Sequence, residues 1–121
     1  MVKKILIVDD ETDFIELLEY KLKSDRFDVS IAENGIIAFK MAKKEKFDLI
    51  LLDVKMPKQD GVSTFEQLKA DNETKNIPVI FITAFPDAEV KKKVMDMGAK
   101  DYIAKSYDDG ELLLRLNRVL R

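Results

Sequence analysis

Asp9 and Asp10 stand side by side directly after four apolar residues, Ile5 to Val8. Adjacent carboxylates at the end of a buried segment repel each other, and each raises the other's pKa. Something must offset that cost: a cation, a nearby amine, or a function that uses the strain. Three more polar residues occupy comparable places. Asp53 follows the run LILL (49–52), Thr83 closes VIFIT (79–83), and Lys105 follows DYIA (101–104). Three acids, an amine and a hydroxyl suit a phosphoryl group held on an oxygen nucleophile, with a hard cation among them. Mg²⁺ is the natural choice, since it takes oxygen ligands at about 2.0–2.1 Å and keeps positions for water and phosphate. Asp9, Asp10 and Asp53 can supply part of that shell. Lys105 can neutralise another part, and Thr83 offers a hydroxyl donor.

Each residue alone has an ordinary explanation. Asp10 or Asp13 could be only a helix N-cap, Lys105 a surface lysine, and Thr83 a β-branched strand residue. Their joint placement after four apolar runs is what argues for a site. Composition removes other chemistries. The chain has no cysteine and no histidine. Disulfides, thiolate or imidazole zinc sites, Ser-His-Asp catalysis and a phosphohistidine carrier are therefore excluded, and any metal must be bound by oxygen.

The elements that would position these residues can be read from pattern. Five apolar runs recur: ILIV (5–8), FDVSIA (27–32), LILL (49–52), VIFIT (79–83) and DYIA (101–104). Three of them are continuous, as strands are when both faces of a parallel sheet are covered. Helical patterns of about 10 to 15 residues separate them, which predicts a doubly wound α/β domain with five parallel strands and five helices. In the first helix, Phe14, Leu17, Leu18 and Leu22 form the expected apolar stripe. In the second it is Ile37, Ala38, Met41 and Ala42, after a cap at Asn34-Gly35. The third helix should begin near Gly61 and the fourth near Asp87, after Pro86. In the last, Leu112, Leu113, Leu116, Val119 and Leu120 face the core. Asp108 is its N-cap with Glu111 at N3, and Arg115, Arg118 and Arg121 complement the helix dipole. In such sheets ligands bind beyond the carboxyl ends of the strands, which is where all five polar residues emerge.

The 121 residues fit one domain spanning 1–121. Hydrophobic residues make up 46% and charged residues 36%, a globular composition. The net charge of −2 gives no basic excess for direct nucleic-acid binding, and Lys91-Lys92-Lys93 is expected to be a solvated helix face. No apolar stretch approaches the roughly 20 residues of a membrane span, and the start is too brief for a signal peptide, so no membrane insertion and a cytoplasmic location are expected.

With these features in place, the chain resembles a response-regulator receiver domain of two-component signalling, CheY-like, over essentially its whole length. The matching stretches are IVDDE (7–11), LLDVKMPKQDG (51–61), ITA (82–84) and DYIAKS (101–106). Asp53 followed by Met56-Pro57 and Asp60-Gly61 is the most specific. The resemblance implies a flavodoxin-like strand order 2-1-3-4-5. It implies that Asp53 is the phosphoacceptor, taking a phosphoryl group from a phosphohistidine on a sensor histidine kinase or phosphotransfer protein. Asp10 would bind Mg²⁺ directly, Asp9 through water, and the backbone carbonyl of Lys55 would be another ligand. Lys105 would pair with Asp53 at rest and with the phosphoryl group afterwards. Thr83 would turn towards that group, and Tyr102 would follow as an aromatic switch. The surface formed by the fourth helix, fifth strand and fifth helix would change and engage a downstream effector or a second copy. Such a protein promotes its own phosphorylation and dephosphorylation without turning over a conventional external substrate.

The sequence departs from the family after Lys105, where Ser106 replaces the usual proline. A cis bond before a non-proline residue costs about 3–4 kcal/mol, so a trans peptide is expected. Lys55 and Phe85, two residues after Asp53 and Thr83, would flank the path of hydrolytic water, and Phe85 is expected to slow dephosphorylation. Leu114, opposite the last helix's core stripe, would form an apolar contact surface with Tyr102. Among rivals, a flavodoxin-like carrier would need a Ser-, Thr- and Gly-rich loop where DDETD stands. A haloacid-dehalogenase-type phosphatase would need Asp at Lys55. A pseudo-receiver, an interaction module without phosphorylation, is the alternative that the intact site residues argue against.

Overall fold

The computed structural model describes residues 2–56 and 59–121. Pro57, part of the Met56-Pro57 motif, and its neighbour Lys58 lie outside the described residues, as does Met1. The elements run β1 (Lys4–Val8), α1 (Thr12–Ser24), β2 (Asp28–Ala32), α2 (Gly35–Lys44), β3 (Leu49–Asp53), α3 (Gly61–Ala70), β4 (Val79–Thr83), α4 (Ala88–Asp96), β5 (Asp101–Ala104) and α5 (Asp109–Leu120). All paired strands are parallel, in the order β2-β1-β3-β4-β5. The expected strand order and element sequence are both present.

Alternation along the strands divides the core into two layers. Leu6 and Val8 of β1, Ile50 and Leu52 of β3, and Phe81 of β4 face α2, α3 and α4. Ile5, Ile7, Leu49, Leu51, Ile80 and Ile82 face α1 and α5. In the first layer Phe65 and Phe81 meet edge to face, 5.3 Å between centroids, which adds about 1 kcal/mol to their burial. Four helices begin on a side-chain cap: Asn34, Asp60, Asp87 and Asp108 each accept a backbone N–H of the first turn. Each such cap stabilises its helix by about 1 kcal/mol.

Two apolar stripes differ from expectation. In α1 the buried residues are Ile15, Leu18 and Leu22, while Leu17 is 73% exposed. At 100° per residue, Leu17 points roughly 130° away from the mean direction of those three. In α2, Ala38 and Ala42 are buried but Ile37 is 40% exposed. There the approach to α3 is so close that a Cβ on Gly35 would fall 1.9 Å from the Thr64 hydroxyl, so small residues carry the contact. In α5, Leu112 and Leu116 are buried, with Leu113, Val119 and Leu120 at the margin. Lys91, Lys92 and Lys93 are exposed, as a solvated face requires.

Candidate active site

Strand register brings the acids together. Val8 pairs with Leu52, so the next residues, Asp9 and Asp53, leave adjacent strands at the same level. Strand order reverses here: β2 lies on one side of β1 and β3 on the other, and a crevice opens at such a point. Asp53 pairs with Ile82, Thr83 follows, and the Lys105 amide donates to the Thr83 carbonyl at 2.8 Å. The loop after β3 is held down at its far end. The Gly61 amide donates to the Val54 carbonyl at 2.8 Å, and a Cβ on Gly61 would lie 2.0 Å from the Asp53 carbonyl oxygen. Only glycine fits there, which explains the Asp60-Gly61 pair following Asp53.

The result is a cleft of about 320 Å³ lined by Asp10, Glu11, Asp53, Lys55, Thr83 and Lys105, with Ala84 and Phe85. Asp9 and Asp53 are buried and Asp10 is exposed. One carboxylate oxygen from each of Asp9, Asp10 and Asp53 lies within 4.8 Å of the other two, the only such cluster among the described residues. Oxygens bound to one Mg²⁺ at about 2.1 Å stand about 3 Å apart when adjacent and about 4.2 Å apart when opposite, so this donor set fits a hard cation with small adjustments. Neither Asp10 nor Asp13 caps α1. The cap position belongs to Glu11, whose side chain makes no capping bond, and Asp9 Oδ1 instead accepts the Glu11 amide at 2.9 Å.

Electrostatics follow from this crowding. Burial first, and then the charge of Asp9, push the Asp53 carboxyl up to about 7; Lys105 and a backbone hydrogen bond from Lys55 pull it part of the way back. Burial lowers the Lys105 pKa, but hydrogen bonds to Glu11 and Asp9 outweigh it, and the ammonium titrates above its ordinary value. Lys105 Nζ lies 2.7 Å from Glu11 Oε1, 3.0 Å from Asp9 Oδ2 and 3.9 Å from Asp53 Oδ2. Pairing with Asp53 was the expectation; the closer partners are Asp9 and Glu11. Two residues that the pattern did not single out therefore belong to the site. Glu11 is one, and Phe14 is the other, with Lys105 Nζ 4.4 Å from its ring centroid. Their signal is local, since Glu11 continues the acidic run and Phe14 begins the next turn, but neither spacing names Lys105 as the partner.

Thr83 is buried and its hydroxyl accepts the Phe85 amide at 3.1 Å. Tyr102 is buried too. It packs with the α2–α4 layer, and its hydroxyl accepts the Asp87 amide at 3.1 Å. The ring thus already stands inside, where the expectation had it follow Thr83 inwards. The Lys105–Ser106 peptide is trans, as its cost led us to expect. Phe85 is exposed, with Lys55 Nζ 5.3 Å from its ring centroid at the cleft's mouth. Leu114 is exposed, but a hollow of about 450 Å³ beside Tyr102 is lined by Glu111 and Arg115 instead. Leu114 precedes Arg115 by one residue, about 100° round the helix, and faces solvent.

Comparison with known proteins agrees with this geometry. The family model described as "Response regulator receiver domain" matches residues 5–117. The chain belongs to the response-regulator receiver family. This receiver is 39% identical, over its whole length, to the alkaline phosphatase synthesis transcriptional regulatory protein PhoP of Bacillus subtilis, of which it covers 50%. It spans about half the length of several curated relatives that it matches. Among solved structures, the chemotaxis protein CheY4 of Vibrio cholerae superposes with a TM-score of 0.92 at 28% identity, covering 99% of this chain and 100% of that one. The receiver domain of the sensor histidine kinase PA1611 of Pseudomonas aeruginosa, solved with a magnesium ion coordinated in its active-site cleft, superposes with a TM-score of 0.90 at 28% identity, covering 99% and 98%. No helix among the described residues is long and apolar enough to cross a membrane.

Proposed function

We propose that Asp53 accepts a phosphoryl group from a phosphohistidine on a partner histidine kinase or phosphotransfer protein, in a Mg²⁺-dependent reaction. The observation that carries this reading is the convergence of Asp53 with two further acids and the Lys105 ammonium in one cleft at the strand crossover. A carboxylate oxygen of Asp53 attacks phosphorus in line as the bond to the imidazole nitrogen breaks. That nitrogen leaves with the electron pair and takes a proton from water, and Asp53 becomes an acyl phosphate. Lys105 moves onto one phosphoryl oxygen and the Thr83 hydroxyl donates to another, so charge is met by groups already in place. Bound by Asp10, Asp53 and the Lys55 carbonyl, and by Asp9 through water, Mg²⁺ would neutralise phosphoryl charge.

Thr83 leaves the Phe85 amide when it turns, and this loosens the β4–α4 loop that ends at Asp87. The Asp87 amide is held by Tyr102, so the α4–β5–α5 face shifts its population between two packings. That face would then engage an effector protein or a second copy. Residues 1–121 act as one receiver unit, in the cytoplasm, where its phosphodonor works. The test is intact-protein mass after incubation with acetyl phosphate, with and without Mg²⁺, on wild type and Asp53→Asn. A Mg²⁺-dependent gain of one phosphoryl group, absent in the variant, is expected. No gain in wild type would refute the phosphoacceptor reading for this donor and favour an interaction module.

A further inference from the structure

Lys105 is the one cation that touches the acids of the cleft among the described residues, and the proposed nucleophile, Asp53, is the farthest of its three acid partners. Its two short bonds go to Glu11 at 2.7 Å and Asp9 at 3.0 Å, while Asp53 stands at 3.9 Å. Glu11 is fixed at both ends. Its amide donates to Asp9 Oδ1, and its carboxylate reaches a residue 94 positions away in the chain. It also occupies a position where the other four helices carry a side chain that caps: Asn34, Asp60, Asp87 and Asp108. A glutamate is one methylene too long to cap well, and Glu11 makes no cap bond. A helix-stabilising interaction is absent where a grip on the lysine is present. Phe14, on the next turn, presents its ring to the same ammonium at 4.4 Å.

We infer that Glu11 is a positioning residue that competes with Asp53 for Lys105, a latch holding the ammonium on the α1 side of the cleft. A lysine ammonium has three donors, and two are committed to Glu11 and Asp9. A phosphoryl group on Asp53 has to draw Lys105 across, and the pair with Glu11 is broken as it moves. Glu11 therefore sets how tightly the cleft holds a phosphoryl group. The inference rests on the proposed phosphoacceptor role of Asp53. The effect is small because Glu11 is half-exposed: about 2- to 5-fold in affinity, the factor a partly solvated ion pair supplies.

Two substitutions separate reach from charge. Glu11→Gln removes the charge. Glu11→Asp keeps it beside Asp10 but is too short to hold Lys105. The probe is beryllofluoride, which occupies a phosphoryl position on a carboxylate, titrated at saturating Mg²⁺. Both variants should bind it about 2- to 5-fold tighter than wild type. In a second measurement, the Lys105 ζ-ammonium NMR signal of the protein without beryllofluoride should shift and exchange faster in both. Neither readout follows from a change in helix stability alone, which Glu11→Asp would raise by capping. Binding equal to or weaker than wild type in both variants, or an unmoved Lys105 signal, would overturn the latch. So would tighter binding in Glu11→Gln alone, which would assign the effect to charge. If wild type bound no beryllofluoride at all, the phosphoacceptor reading would fail and the latch with it. A failure of the latch alone leaves wild type binding and Asp53→Asn unable to bind.

Discussion

Replacing Asp53 by asparagine should stabilise the protein in chelator at alkaline pH and do far less at acidic pH. The Asp53 carboxyl is raised from 3.8 to about 7, by burial first and by Asp9 second. A carboxyl raised on folding makes the native protein bind its proton more tightly than the unfolded chain. The stability it contributes is fully present below about pH 3.8 and is lost as pH rises through about 7. About three pH units at ~1.4 kcal/mol each set an upper bound of ~4 kcal/mol. The cleft opens to solvent on one side, and solvent screening leaves roughly half of this, ~2 kcal/mol. Asparagine keeps the shape and cannot ionise, so it removes the cost. For a domain of this size, ~2 kcal/mol is about 6–10 °C in Tm. Thermal melts of wild type and Asp53→Asn, in chelator from pH 5 to 8.5, measure it. The gap in Tm should widen with pH, and Mg²⁺ added to wild type should close much of it, because a cation bound only by the native state stabilises it. An equal gap at pH 5 and pH 8.5 would refute the reasoning, since ionising Asp53 would then cost nothing.

Three further outcomes are expected. In Phe85→Ala, the ring that Lys55 leans on at the cleft's mouth is gone, and the phosphorylated protein should lose its phosphoryl group several-fold faster by mass; an unchanged rate would exclude Phe85 from shielding Asp53. Tyr102→Phe deletes the acceptor of the Asp87 amide and should cost about 0.5–1.5 kcal/mol in urea unfolding, whereas an unaltered midpoint would mean that the bond adds nothing. Gly61→Ala forces a methyl group to 2.0 Å from the Asp53 carbonyl oxygen and should cost ~3 kcal/mol or more, with slower Mg²⁺-dependent phosphorylation; a fully stable, fully active variant would show that the loop yields freely.

Much of this architecture was legible because its causes are local. Continuous apolar runs marked the strands, and the polar residue after each run marked the edge where the cleft lies. Asn34 and Asp108 announced their helices through capping chemistry alone. The misses have a common origin in long-range geometry. Phe14, Ile15, Leu17 and Leu18 are all apolar, so the stripe's phase in α1 depended on which of them the sheet would accept. Glu11 looked like one more acid, and its partner lies 94 residues on. That Tyr102 stands inside depends on a backbone amide of the β4–α4 loop, at Asp87, which no periodicity encodes.

The four residues of β5 point alternately to opposite layers. Tyr102 joins the core beneath α2, α3 and α4, and Ile103 joins the core beneath α1 and α5. The strand ends at Ala104, and Lys105 follows it directly. A displacement of β5 drawn by that lysine cannot be private to one side of the domain. Proteins seated on opposite faces would be linked through it without touching, and by thermodynamic reciprocity each would change the other's affinity by the same factor. The phosphoryl state is then a third party to that exchange, favoured or opposed by whatever either face has bound.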